Sequence, residues 1–266
     1  MAIKIGLEDA PPLRLAVYRF VLGGLVILGW AALTGRLGAL RVERGQWRPL
    51  GVLGVLFTLQ IASMNVGTAL TSAAHSAILL NLYAVHTVVL AHFMIPGDRL
   101  TVRRLAGVVI AYAGIVPLLA RQPGAGAPTL LGDAIMFASA LVLAERTVYL
   151  ARAVQRFDAV TLLLSQAAVG VVLLSLLSLG LEPGPTRWTP SLGATIVFQG
   201  AVVAGFNFVV NLWLLKRYRP STLAVFFLTQ PIFGVATAAL VAGDPLTPAL
   251  LVASAAVAVG IGLASR

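Results

Sequence analysis

Residues 96–101 read Pro-Gly-Asp-Arg-Leu-Thr, and residues 242–247 read Ala-Gly-Asp-Pro-Leu-Thr. A Gly-Asp turn with Leu and Thr at the same two positions, returning after 146 residues, marks an internal repeat. Apolar runs at 73–95 and 102–120 flank the first turn, and runs at 221–241 and 247–264 flank the second. Without a gap, the same spacing pairs Gly24 with Gly170, Gly54 with Gly200, Asn65 with Asn211, Leu82 with Leu228, Leu105 with Leu251, and Gly114-Ile115 with Gly260-Ile261.

Moving outward from the turns, further apolar runs lie at 13–34, 50–70, 130–151, 159–181 and 191–215, which makes nine. Each is close to the roughly 20 residues that a helix needs to cross the hydrocarbon of a bilayer. Composition agrees: of 266 residues, 59% are hydrophobic and 11% charged, and mean hydropathy is +0.96. A soluble domain carries about 45–50% apolar and about 25% charged residues. A soluble globular protein is excluded. The predicted fold class is an all-α integral membrane protein with nine transmembrane helices and no sizeable extramembrane domain.

Nineteen Lys and Arg against nine Asp and Glu give a net charge of +10 and a pI near 11.2, a balance that in a soluble chain suggests nucleic acid. Here the basic residues fall in short clusters between apolar runs, where they set topology, so no nucleic-acid partner is expected. Loops alternate sides. One side collects Arg36, Arg41, Arg44, Arg48, Arg99, Arg103, Arg104, Arg152, Arg156, Lys216, Arg217, Arg219 and Arg266; the other has Lys4, Arg121 and Arg187, with Arg14 at the start of the first run. Positive charge marks the cytoplasmic face, which predicts a cytoplasmic C-terminus. Trp30, Trp47, Trp188, Trp213 and Tyr218 lie near run ends, as interfacial anchors do. Cysteine is absent, which excludes disulfides and thiolate chemistry. No cleavable signal peptide is visible at the N-terminus.

Matched loops carry opposite charge character. The loop at 70–75, Leu-Thr-Ser-Ala-Ala-His, has no Lys or Arg, whereas its counterpart at 216–220 reads Lys-Arg-Tyr-Arg-Pro. Conversely Arg99, Arg103 and Arg104 correspond to Pro245, Ala249 and Leu250. One unit used twice in opposite orientation accounts for this, and inversion requires an odd number of spans per unit. The second unit shows five runs and the first four. The expectation is therefore a first repeat at 1–120 that lacks its first helix, a span of about 15–20 residues upstream of Met1, then a linker at 121–129 and a second repeat at 130–266.

These features resemble the drug/metabolite transporter superfamily, in particular its EamA-type ten-helix branch. The resemblance covers nearly the whole chain. It rests on Pro11-Pro12-Leu13 leading to Tyr18-Arg19-Phe20, on the two Gly-Asp-x-Leu-Thr turns, on Leu131-Gly132-Asp133, and on Thr229-Gln230-Pro231. It departs from the family pattern at the absent first helix, at Val85 where the family usually has a proline, and at Glu145-Arg146 where neutral or aromatic residues are usual. The resemblance implies a cell (inner) membrane carrier, usually an exporter of amino acids or other small metabolites, with the path between the repeats.

Polar groups inside apolar runs are costly in lipid and turn toward a cavity or another helix. Asn65 and Asn211 occupy the same repeat position, with Gln60, Gln199 and Asn207 on the same runs. Amides suit a zwitterionic or uncharged polar solute, or else hydrogen-bond between helices. Tyr83, Gln230 beside Pro231, and Arg19 complete the substrate-binding candidates. Arg19 either neutralises a solute carboxylate or ties down Glu8 or Asp9. Pro231 is expected to break a backbone hydrogen bond within its run and bend it. Gly107-x-x-x-Ala111 and Ala256-x-x-x-Gly260 read as close-packing surfaces.

Glu145, the carboxylate well inside an apolar run, and His86, whose imidazole titrates near neutrality, are the proton-coupling candidates. Glu145 in an ion pair and His86 as a packed histidine are the alternatives. His75 and His86, eleven residues apart, share a helix face but lack the three- or four-residue spacing of a helical metal pair, so no metal is expected. No nucleotide-binding motif, His-Glu-x-x-His or Gly-x-Ser-x-Gly occurs, and no cofactor or catalytic residue is expected. The predicted inversion puts Asp98 and Asp244 on opposite faces, so they do not form a protease dyad. A solute and the bilayer are the expected partners, with a homodimer left open. A channel or a lipid flippase on the same scaffold is the alternative to a secondary transporter, and an intramembrane enzyme is a more distant one.

Overall fold

The computed structural model describes residues 1–42, 44–119, 129–223 and 229–264, and the described chain is helical with no strand. Arg121, Leu228, Arg266 and positions 121–128 of the expected linker lie outside the described residues. The helices are α1 (Ala2–Gly6), α2 (Pro12–Leu33), α3 (Trp47–Leu70), α4 (Ala73–Met94), α5 (Val102–Leu119), α6 (Leu130–Ala153), α7 (Ala159–Leu181), α8 (Pro190–Arg217), α9 (Pro220–Leu223), α10 (Gln230–Ala242) and α11 (Pro248–Ala264). Among the described residues, α2, α3, α4, α6, α7 and α8 are long and apolar enough to cross a membrane, while α10 and α11 are shorter apolar helices. Leu33 and Leu240 on these helices are 90% and 85% exposed, a pattern that suits lipid as solvent and not water. The architecture is that of a multi-pass membrane protein.

Local sequence explains the helix ends. Ser72, Asp158 and Thr189 cap α4, α7 and α8, their side chains accepting from the backbone N–H of His75, Val160 and Leu192, which satisfies donors that the helix leaves free. Pro12, Pro190 and Pro231 lie in first turns, where a missing N–H costs nothing. The proline of the 221–241 run therefore lies in the first turn of α10, and residues 224–228 between α9 and α10 lie outside the described residues. The hydrogen bond that Pro231 lacks is one that a first turn never makes. Both repeated turns use a glycine in the left-handed region, Gly97 at φ 80° and Gly243 at φ 69°, where a side chain is disfavoured.

The chain divides into two compact units. The first contains 66–148 and 218–266 together with Met1. Its best-packed pair is α5 with α11. Gly107 faces the Gly260 carbonyl and Ala264, Gly260 faces Ala111, and Gly114 faces Ala256 and Ala253. As numbers rise along α5 they fall along α11, so the two helices run antiparallel. A Cβ on Gly107 would lie 2.5 Å from the Gly260 oxygen, so only glycine permits this approach. The expected small-residue packing surfaces are thus in contact with each other. In the same unit Gly234 of α10 faces Ala77 of α4, and Gly132 faces Leu70.

The second unit contains 2–65 and 149–217. Here α2 packs between α7 and α8. Gly23 faces Ala204, Gly200 faces Leu22, and Gly205 faces Val26. Phe20 meets Phe57 edge-on at 4.6 Å between ring centroids and lies 6.0 Å from Phe208. Residues Phe198–Asn207 of α8 form a π-helix, a widened register that commonly marks functional positions. At one end of this unit the Glu182 carboxylate accepts from the backbone N–H of Leu13 and Arg14, at 2.7 and 3.0 Å, a charge-assisted cap on α2. Arg217 lies over the Trp213 ring at 4.0 Å, and Arg36 over Trp30 at 5.4 Å, so two of the interfacial tryptophans carry cations on their faces.

Candidate functional site

In the second unit α2 and α8 bring Arg19 and Gln199 together. Arg19 Nη1 donates to Gln199 Oε1 at 2.8 Å, and the two residues are 5% and 3% exposed. The guanidinium also lies 4.7 Å over the Phe20 ring. Arg19 Nε and Gln199 Nε2 are buried donors with no hydrogen-bond partner, and no carboxylate among the described residues pairs with Arg19. Asp9 is engaged elsewhere, accepting from Thr189 Oγ1 and facing Arg187. A buried cation without a counter-ion, next to a second free donor, is costly and is disposed to accept an anionic or carbonyl oxygen.

The pair adjoins a narrow apolar pocket lined by Phe20, Gly23, Phe57, Gln166, Ala204 and Phe208, among others. Gln60, 2% exposed, donates to Met64 Sδ at 3.6 Å. Asn65 is fully buried; its Nδ2 donates to the Ile61 carbonyl of its own helix, and its Oδ1 accepts nothing. Asn207 is exposed and Asn211 half-buried. Of the amide candidates, Gln199 is brought onto another candidate, Arg19.

In the first unit His86 is 2% exposed and lies between aromatic rings, 5.5 Å from Tyr112 and 5.3 Å edge-on to Phe137. Tyr83 is half-buried one turn earlier on α4, and Gln230 is exposed at the start of α10. Glu145 is exposed on α6, whereas Arg146 beside it is 6% exposed. The rotation of about 100° per residue separates their directions.

A second polar centre joins α4 and α6. The Asp133 carboxylate accepts from Thr71 Oγ1 at 2.6 Å and from His75 Nδ1 at 2.9 Å. Sequence reading considered His75 only as a metal ligand and quoted Asp133 without a role. The available signal was that Asp133 and His75 both stand in first helical turns whose loops are poor in basic residues.

Against known families, the sequence profile of the EamA-like transporter family matches residues 1–120 and 130–266. The chain belongs to the EamA-like transporter family. Among its relatives is an uncharacterized transporter of Archaeoglobus fulgidus, 27% identical over 87% of this chain and 80% of that protein. Two more are probable amino-acid metabolite efflux pumps, from Salmonella typhimurium (26% identical, 98% of this chain, 88% of that protein) and Escherichia coli (25%, 93% and 83%). A crystal structure with 23% identity superposes with a TM-score of 0.74 over 99% of this chain and 93% of its own, which establishes the shared fold. EamA-like membership makes the protein a membrane transporter, with a small-molecule solute as its partner.

Proposed function

We propose that this protein is a secondary transporter that exports small metabolites, amino acids among them, across the cytoplasmic membrane by alternating access. The observation that carries the reading is family membership through both halves of a chain whose repeated Gly-Asp turns precede helices, α5 and α11, that pack antiparallel. That packing is what two inverted repeats require, and carriers of this design hold their solute near the bilayer midplane. In this reading nine spans are present, the C-terminus is cytoplasmic, and the domain boundaries are 1–120 and 130–266. The two bacterial relatives that are probable amino-acid metabolite efflux pumps support amino-acid metabolites as the solute class.

Arg19 and Gln199 are the lead solute contacts because they offer a positive charge and two free donors away from water. Gln60, Asn65, Asn207, Asn211, Tyr83 and Gln230 are the further solute-contact candidates, and Glu145 and His86 the proton-coupling ones. The test is solute counterflow in proteoliposomes, screened against amino acids and nucleosides. Saturable exchange of at least one solute class is the expected result. Non-saturating flux marks a channel, and movement of labelled lipid a flippase, either of which overturns the proposal.

A further inference from the structure

The first unit holds its two repeated turns by different chemistry. At the first, Asp98 pairs with Arg104 Nη1 at 2.6 Å, and Arg219 Nη1 donates to the Gly97 carbonyl at 2.7 Å. Guanidinium groups keep their charge at every physiological pH. At the second, the Asp244 carboxylate accepts from the backbone N–H of Ala74 at 2.8 Å. One residue along, His75 Nδ1 donates to Asp133, which also takes the Thr71 hydroxyl. The Leu70 carbonyl accepts both the N–H and the hydroxyl of Thr129. The break between α3 and α4 is therefore clamped by two carboxylates, with an imidazole and no arginine.

We propose that His75 and Asp133 form a proton-binding site that latches the α3–α4 junction. The neutral imidazole gives its Nδ1–H to the carboxylate. When Nε2 takes a proton from solvent, the donor becomes charged as well as the acceptor, and the same hydrogen bond becomes an ion pair. Proton uptake holds the junction shut, and loss of the proton eases it open. His75 is well placed for this exchange: its side chain is 14% exposed, whereas that of Asp133 is 5% exposed.

Few other charges face the pair. Asp244 reaches the neighbouring backbone, and the amino group of Met1 lies within electrostatic reach of Asp244. Along α6 the next titratable residues are Glu145 and Arg146, and along α4 Tyr83, His86 and His92, eight, eleven and seventeen residues away, or about 12, 16 and 26 Å. Arg103, Arg104 and Tyr112 of α5 lie toward or beyond its first turns, and α10 and α11 carry no titratable side chain. At the arginine-held turn the histidine is His92, whose Nδ1 accepts the Leu100 N–H at 3.1 Å and which pairs with no carboxylate among the described residues. A proton gradient thus adds an ion pair at the α3–α4 junction and none at the arginine-held turn. The proposal rests on the transporter reading for this consequence, though not for its chemistry.

The natural absence of cysteine provides the test. A single cysteine is placed at Ala73, 3% exposed beside the junction, and a reference cysteine at exposed Pro185. Both variants are labelled in nanodiscs with a membrane-impermeant maleimide from pH 8 to pH 5.5. Labelling of Ala73→Cys, normalised to Pro185→Cys, is expected to fall about fivefold to tenfold on acidification, as the donor to the carboxylate becomes charged. Adding His75→Gln, which keeps a donor and does not titrate, is expected to flatten the response while preserving the fold. A flat profile in the His75 protein, a rise on acidification, or an unchanged pH response in His75→Gln overturns the proposal. None of these results touches counterflow, and a failure of counterflow leaves the labelling result standing.

Discussion

Arg19 and Gln199 are separated by 180 residues and meet at 2.8 Å. Replacing Gln199 by Leu strips the guanidinium of this side-chain acceptor, at a cost of about 1–3 kcal/mol, and lowers the thermal midpoint in detergent. Gln199→Glu supplies a fixed counter-ion, so the midpoint is held while solute counterflow falls at least tenfold, because the internal carboxylate occupies the site. Wild-type counterflow in Gln199→Glu removes Arg19 from the solute path. At Glu145, substitution by Gln is expected to abolish acceleration by an imposed proton gradient and to leave gradient-free exchange intact. Retained acceleration excludes its coupling role. Each of these residues was legible as a polar group in an apolar run. The pairing of Arg19 with Gln199 was not, because hydropathy carries no long-range register. The Asp133 latch was missed for a related reason: its members sit at helix ends, where polar residues are ordinary.

Among elements, α5 and α11 show how much a one-dimensional pattern contains. The small residues at 107, 111, 256 and 260 were readable as packing surfaces, and they meet. The prediction is a contrast between glycines. Gly107→Leu forces a side chain against the Gly260 backbone, and an overpacked contact of this kind costs about 1–3 kcal/mol, enough to lower the thermal midpoint clearly. Gly24→Leu, where nothing lies within 4 Å, is expected to leave it unchanged. Equal midpoints for the two variants contradict the observed packing. Two element-level features had no sequence signal. The π register of 198–207 depends on which carbonyl each N–H selects, and apolar content is the same in either register. Within the expected run at 221–241, Pro231 reads as a kink from sequence although it occupies the first turn of α10.

For the whole molecule, the distribution of arginine argues for orientation. The segments at 36–48, 99–104, 152–156 and 216–219 hold most of the basic residues, while the segments at 70–75 and 182–189 hold only Arg187. Arginine in short loops resists translocation, so the first group is expected to face the cytoplasm. Reporter fusions after Gly45 and Tyr218 should therefore both report the cytoplasmic side, and a fusion after Gly184 the opposite side. The prediction is sharp because 45 and 218 lie in different halves of the repeat, separated by α3 to α8, and an even number of crossings must connect them. If α9 and α10 instead formed a re-entrant pair that left 218 and the C-terminus on opposite sides, a fusion after Ala264 would disagree with the one after Tyr218. Agreement of the fusions at 45, 218 and 264 requires the two helical stretches between 220 and 264 to cross as a pair, which is what an inverted second copy of α4 and α5 demands.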